Sequence, residues 1–311
     1  MIRTGVVGVG HLGSVHARIL AQLEESDLVG VYDIRPERAR EVAERWGVQA
    51  FPSLEALLEA TEAVSVVTPT ETHYPVARQV LEAGRHLFLE KPMTPRLDQA
   101  RRLVQLARER GVKFQVGHVE RFNPAVLAIR DWVQNPRFIE SHRLTLFPGR
   151  GTDVDVVLDL MIHDLDLVLY FVGAQEIEFL DAVGVPVLTD KVDIANARIR
   201  FKNGCTVNLT ASRVYSAHMR KFRIFQKDTY ISLDTRKKEV EVYLLRDGTV
   251  LPYFPEVDRN QEPLALELAA FLRAIARDQE PPVTGEDGLR ALELAHRILR
   301  TIHENLRRYE I

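Results

Sequence analysis

The stretch "GVVGVGHLGSVHA" holds Gly8, Gly10 and Gly13 in a G-x-G-x-x-G spacing, directly after an apolar run and directly before a helical pattern. In that setting the first glycine permits a tight turn, the second lets a pyrophosphate approach the backbone, and the third lets helix and strand pack closely. Free amides at the helix start, at His11 and Leu12, would face the anionic pyrophosphate. A glycine-rich turn with no ligand would show the same letters; the strand before it and the helix after it favour the dinucleotide. About twenty residues beyond Gly13, Asp33 ends a run that reads as a strand buried on both faces, where a carboxylate is costly unless something pairs with it. The adenosine ribose hydroxyls are the expected partner, and the charge should repel a 2′-phosphate, so NAD is expected over NADP. Arg35 pulls the other way, since a guanidinium would bind that phosphate or stack on adenine.

Two further groups of residues have chemical potential. In "HLFLEKPMTP", Lys91 follows a strand pattern at its carboxyl end, the edge where ligands bind in open parallel sheets, and Pro92 keeps Lys91 out of a helical conformation. Partial burial beside a cationic nicotinamide would suit its ammonium to proton transfer, whereas "EKP" alone reads as a solvated turn. In "DLMIHDLD", a regular helix would place His163 about 40° from Asp159 and Asp166 about 20° to the other side, with Asp164 pointing elsewhere. Such a polar wedge is either an internally satisfied core network or a site wall with His163 as proton acceptor oriented by a carboxylate. No further His or Cys has the spacing for a zinc site, so no metal is expected.

The elements that must carry these residues change in kind along the chain. Up to about residue 120, short apolar runs ("IRTGVVG", "DLVGVYD", "AVSVVTP", "RHLFLE", "VKFQVGH") alternate with helical patterns, which specifies a doubly wound parallel sheet. Beyond it, a helix near "NPAVLAIRDWV", a strand, and an apolar helix over 156–172 lead into a succession of strand patterns. Two hairpins are signalled at Asn203-Gly204 and Asp247-Gly248, and two closing helices flank "QEPPVTGED". The expected architecture is α/β: a Rossmann domain over 1–120, then an α+β domain over 121–311 with an open, largely antiparallel sheet for substrate and oligomerisation. The two closing helices have the option of packing back on the first domain.

Composition narrows the class further. The chain has 311 residues, a net charge of −3 and a single cysteine, Cys205. The charge argues against nonspecific nucleic-acid binding, and the lone thiol against an intramolecular disulfide. Charged residues interrupt the longest apolar stretch, so no membrane span is expected, and no leader pattern precedes the first strand. A cytoplasmic protein is the expectation.

Taken together, "GVVGVGHLG", "VVTPTETHYPVARQVLEAGRHLFLEKPM", "GHVERFNP", "DLMIHDLDL" and "PPVTGEDGLRALELAHRI" resemble the glucose-fructose oxidoreductase, inositol dehydrogenase and rhizopine-catabolism (Gfo/Idh/MocA) family over nearly the whole chain. The resemblance implies a nicotinamide-dependent oxidoreductase acting on a sugar, cyclitol or related polyol, and a homodimer or homotetramer. At matching positions it implies cofactor contacts from Thr68, Pro69, Thr70, His73 and Glu90, an active-site lysine at Lys91, an acid/base at His163, and a substrate-contacting or orienting carboxylate at Asp159. Substrate contacts are further implied at Arg121 and Asn123. Many members have glycine where Met161 stands, so the substrate site is expected to differ in shape.

"GHVERFNPAV" and "GRGTDVDVVLDLMIHDLDL" look like members that oxidise the 3-hydroxyl of UDP-N-acetylglucosamine. Arg121, Arg143, Arg150, Arg213 and Arg220 are candidate cations for the diphosphate of such a nucleotide sugar, or else ordinary surface residues. A free sugar or inositol is the alternative substrate. A redox sensor that holds NAD without turnover is the alternative of another class, although it leaves Lys91 and His163 without a purpose.

Overall fold

The computed structural model describes residues 1–147 and 154–308. The chain divides into two compact units, Met1–Val119 with Glu262–Leu289, and Glu120–Gln261 with Arg290–Ile311.

The first unit opens with β1 (Ile2–Val7), α1 (His11–Leu20), β2 (Ser26–Tyr32), α2 (Pro36–Trp46), β3 (Gln49–Ala50) and α3 (Leu54–Ala60). It continues through β4 (Ala63–Val66), α4 (Thr70–Glu82), β5 (His86–Leu89), α5 (Leu97–Arg110) and β6 (Phe114–Val116). The strands form a six-stranded sheet in the order β3-β2-β1-β4-β5-β6, every pair parallel. That order reverses between β1 and β4, and the carboxyl ends of strands at such a switch point are where open α/β sheets bind ligands. Strands as short as "AVSV" and "HLFL" are apolar because helices cover both faces of a parallel sheet.

A short 3₁₀ turn at Val119–Phe122 carries the chain over the boundary at Glu120, and α6 (Pro124–Ile129) and β7 (Phe138–Leu144) follow in the second unit. A π-helical turn at Val157–Met161 then leads without a break into α7 (Ile162–Val172). Its mark is the Ile162 amide, which donates to the carbonyl of Val157, five residues back. The strands β8 (Ile177–Val185), β9 (Ile194–Phe201), β10 (Thr206–Ser212), β11 (Met219–Gln226), β12 (Thr229–Asp234), β13 (Glu239–Arg246) and β14 (Thr249–Tyr253) follow. They join β7 in an eight-stranded sheet ordered β14-β13-β12-β11-β7-β10-β9-β8. Only β7 and β10 pair in parallel; the other neighbours are antiparallel, as the two hairpin signals require. The second hairpin turns at Asp247 and Gly248, with φ of 51° and 75°, the left-handed pair that a two-residue turn needs.

This sheet has two unlike faces. Ile139, Ser141, Phe222, Ile224, Ile231 and Leu233 are buried on one. On the other, Phe138, Phe225, Tyr230 and Tyr243 form a half-buried aromatic row with successive ring centroids 5.5, 4.7 and 5.6 Å apart.

The chain closes with α8 (Pro263–Ala276) and α9 (Gly285–Arg308). In the first unit, Leu268, Phe271 and Leu272 of α8 complete a core shared with Val6, Val31, Ala17, Leu20, Ala39 and Val42. Phe271 meets Phe88 of β5 edge to face at 5.8 Å. In the second unit, Ile302 of α9 packs where Gly184 of β8 leaves no room for a side chain, and Asn305 donates to the carbonyl of Ala182.

Candidate functional site

Where β1 passes into α1, the backbone makes a cradle. Gly8 has φ +84°, a conformation that side chains disfavour, and a Cβ on Gly13 would lie 1.8 Å from the Gly8 carbonyl oxygen. Gly10 caps α1 with open space on the side where a Cβ would project, and no side chain caps the helix. The first-turn amides at His11, Leu12 and Gly13 therefore suit an external anion, and the exposed side chains of His11 and Leu12 flank it.

Asp33 is buried, and it meets the loop itself. One carboxylate oxygen accepts the Val9 amide at 2.9 Å and the other the Arg35 amide at 3.0 Å, with the Arg35 Nε 3.5 Å away. Each oxygen keeps a lone pair for a ribose hydroxyl. The Arg38 guanidinium donates to the Val9 carbonyl at 2.8 Å and to the Ser14 hydroxyl at 2.9 Å, bracing the same loop from α2.

The second wall lies beyond β4 and β5. The Thr68 side chain closes on Gly8, where a Cβ would come within 2.8 Å of its methyl, while Pro69 and Thr70 open α4. His73 is buried, with Nδ1 2.9 Å from the Pro92 carbonyl and Nε2 2.8 Å from that of Thr68. Its ring thus ties the 68–70 segment to the Lys91–Pro92 turn. Burial pushes His73 below its ordinary value, and the two carbonyls and Glu90 only partly offset this. Lys91 is half-buried and precedes a cis Pro92. The Glu90 carboxylate behind it accepts the Lys91 amide at 3.2 Å and faces His16 Nε2 at 3.1 Å. Burial raises the Glu90 carboxyl, but the His16 hydrogen bond and the charges of His16 and Lys91 outweigh it and hold the group below the usual carboxylate range.

In the second unit, Asp159 and His163 are both half-buried along the helix that starts at the π-turn. The carboxylates further along that helix are held by arginines. Asp164 makes a two-pronged pair with Arg143, both bonds 2.9 Å, and Arg143 also reaches Glu120 at 2.9 Å. Asp166 pairs with Arg121 at 2.6 and 2.8 Å, and the Arg121 guanidinium lies 5.0 Å from the Tyr170 ring centre. The expected wedge of Asp159, His163 and Asp166 therefore loses Asp166, which is committed to a buried ion pair.

Most of the cations expected at a diphosphate are likewise engaged inside the fold. Arg121 and Arg143 are buried in the pairs just described, and Arg213 is buried against Asp193 at 2.7 Å. Asn123 caps α6, accepting the Ala125 amide and donating to Glu120 and to the Thr235 carbonyl, so it serves the fold of its own unit. Arg220 differs. Its side chain is 46% exposed, 3.7 Å from Glu120, and burial with the neighbouring Arg143 charge lowers its pKa. Arg150 lies outside the described residues. Cys205 is fully buried and its thiol is pushed up to about 11 by burial, so it is a core residue.

Among the described residues no cluster of His, Cys, Asp and Glu would hold a metal ion, and no helix is long and apolar enough to cross a membrane. Comparison with known proteins decides the family. Residues 2–118 match the model of an oxidoreductase family with an NAD-binding Rossmann fold, and residues 134–231 match the GFO/IDH/MocA C-terminal domain. The chain belongs to the Gfo/Idh/MocA oxidoreductase family. It is 41% identical to the UDP-N-acetylglucosamine 3-dehydrogenase of Acidithiobacillus ferrooxidans, over 99% of both chains. A solved structure of that enzyme superposes with a TM-score of 0.91 at 40% identity over 97% of each chain. The myo-inositol 2-dehydrogenase of Thermotoga maritima is more distant, 28% identical over 97% of each chain.

As a family member the chain is an NAD-binding oxidoreductase, and the cradle at Gly8, Gly10 and Gly13 with Asp33 beside it fits that cofactor. Sequence reading missed His16, Ser65 and Arg38. His16 occupies a core position of α1, and a polar residue on the buried face of a short amphipathic helix was the available signal.

Proposed function

We propose that this protein is an NAD-dependent dehydrogenase that oxidises the 3-hydroxyl of UDP-N-acetylglucosamine or a closely similar nucleotide sugar. The carrying observation is the 41% identity to an enzyme of that activity over 99% of both chains, against 28% for an inositol dehydrogenase. In this reading Gly8, Gly10, Gly13 and the amides of α1 hold the pyrophosphate, Asp33 the adenosine ribose, and the Thr68–Thr70 segment and Lys91 flank the nicotinamide end. NAD, when bound, supplies a hydride acceptor at nicotinamide C4. His163 takes the proton of the sugar hydroxyl, Lys91 stabilises the developing alkoxide, and Asp159 orients His163 or the sugar. Arg220 is the cation retained for the diphosphate.

The test is NADH absorbance with UDP-N-acetylglucosamine, free N-acetylglucosamine and myo-inositol as substrates. Turnover with the nucleotide sugar is expected. Turnover with inositol alone would reassign the substrate, and no turnover with any would favour an NAD-holding sensor. The protein is further proposed to be cytoplasmic and a homodimer or homotetramer, paired through the aromatic face of the large sheet. The half-buried row of Phe138, Phe225, Tyr230 and Tyr243 supports that reading. A monomeric mass in light scattering at micromolar concentration would refute it.

A further inference from the structure

Under the Lys91 turn lies a buried polar chain in an otherwise apolar layer. Ser65 on β4, His16 on α1 and Glu90 after β5 are 3%, 0% and 8% exposed, among Val64, Val66, Phe88 and Leu89. His16 Nδ1 is 2.8 Å from the Ser65 hydroxyl, and Nε2 is 3.1 Å from one Glu90 oxygen. An ionised carboxylate only accepts, so Nε2 carries its proton there, and the rotatable Ser65 hydroxyl completes the other side in either role. The second Glu90 oxygen accepts the Lys91 main-chain amide at 3.2 Å. Behind the carboxylate, a Cβ on Gly117 would meet all three carboxyl atoms at 3.0 Å, so the group is walled in as well as hydrogen-bonded.

The same residue types make a hydrolytic Ser-His-acid triad elsewhere, but that reading fails here, because the hydroxyl is buried and out of reach of a substrate. Stability alone does not account for the chain either. A buried charged pair is often matched or bettered by apolar residues of the same volume. The charged and titratable groups acting on Glu90 are His16 from α1, Lys91 beside it and His73 from α4, and His73 itself grips the Pro92 carbonyl. Every one of these contacts converges on the turn that carries the lysine.

The geometry points to His16 and Glu90 as positioning residues for Lys91. They join the helix that opens at the glycine fingerprint to the backbone of the lysine turn, and they fix an anion beside the lysine's ammonium. This rests on Lys91 acting at the site, as proposed above. His16 has no direct part in the chemistry; it holds Glu90 in the orientation that the Lys91 amide needs.

The test uses the full chain with NAD and UDP-N-acetylglucosamine. Glu90→Gln keeps the shape and removes the charge, and His16→Leu removes the hydrogen bond to Glu90. Each should lower kcat by roughly 100-fold, the scale of about 1 Å of misplacement, with the sugar KM and the calorimetric NAD affinity changed by no more than about 3-fold. Both should alter the pH–rate profile. His16→Gln, whose amide still offers an N–H to Glu90, should recover a substantial part of kcat. It also keeps the test decisive if His16→Leu does not fold. A readout free of activity is melting temperature against pH: wild type should lose stability relative to Glu90→Gln as acid protonates Glu90, which shows the carboxylate is ionised where it is buried. Wild-type kcat and pH profile in Glu90→Gln would overturn the inference, provided Lys91→Ala is inactive. So would parallel losses of kcat, NAD affinity and melting temperature, which mark a purely structural pair. Wild-type turnover in Lys91→Ala would instead overturn the underlying reading of the lysine.

Discussion

Replacing Asp33 by asparagine should turn the cofactor preference toward NADP while leaving the fingerprint loop in place. The carboxylate lies where its two oxygens hold the Val9 and Arg35 amides, so two effects must be separated. The first is electrostatic. A unit charge pair about 5 Å apart at an effective dielectric of about 20 is worth roughly 3 kcal/mol, and the open side of the pocket discounts that to about 2 kcal/mol. Removing the repulsion should strengthen NADP binding by roughly 30-fold, and loss of charge-assisted bonds to the ribose should weaken NAD by about 10-fold. The second effect is structural. Asparagine still presents an oxygen to Val9, whose amide is buried, and the exposed Arg35 amide has water as a substitute. Alanine leaves the Val9 amide without an acceptor, at a cost of about 1–3 kcal/mol, so Asp33→Ala should lower the melting temperature as well as change selectivity. Calorimetric titration of wild type and both variants with NAD and NADP, beside thermal melts, measures each effect. Equal affinity of wild type for both cofactors, or an Asp33→Asn variant with unchanged NADP affinity, would refute the reasoning and assign selectivity to Arg35 and Arg38.

Three further outcomes follow from the same geometry. His163→Ala and Lys91→Ala should each lower turnover by about 10² to 10⁴ with NAD binding retained, and the pH–rate profile should change when His163 is replaced; near-normal turnover and an unchanged profile would make the histidine structural. Arg220→Ala should raise KM for the nucleotide sugar by about 10-fold or more with little change in melting temperature, whereas Arg213→Ala should instead destabilise the second unit, since it strands a buried Asp193. Burial raises the Asp193 carboxyl, but the amides of Leu188, Val187 and Thr189 and the Arg213 guanidinium overcome it and hold it far below the ordinary value of 3.8. A depressed carboxyl adds stability that is complete above 3.8 and fades as pH falls toward the folded value. Asp193→Asn should therefore melt lower at neutral pH, by roughly 3 kcal/mol of stability, and the gap to wild type should narrow in acid.

The order of elements in the first unit was legible because a parallel sheet covered on both faces must show short apolar runs between amphipathic helices, and "AVSV" and "HLFL" do so without ambiguity. The two-residue β3 was not, since Gln49 and Ala50 have no period to read. The cofactor cradle was legible in its glycines, but the first partners of Asp33 were not: Val9 lies 24 residues away, across the turn. Arginines showed the same limit. Nothing local distinguishes Arg143, which finds Asp164 across 21 residues and Glu120 across 23, from the exposed Arg220 directly opposite it on β11. The helical wedge was legible as a spacing, but the partners of its members were not. Projection at a constant angle assumes a uniform helix, whereas the turn from Val157 to Met161 is wider, and Asp166 is claimed by Arg121 from a distant part of the chain.

That wide turn also makes this part of the molecule sensitive to length more than to composition. A π-turn accommodates one residue more than a regular helix would, so point substitutions within Val157–Met161 leave the phase between Asp159 and His163 as it is. Deleting Leu160 or Met161 would restore an ordinary helix with the chain on either side still in phase, and would bring Asp159 from four residues before His163 to three, about 60° to its other side. The chain would keep every side chain proposed for the chemistry and still lose their mutual aim.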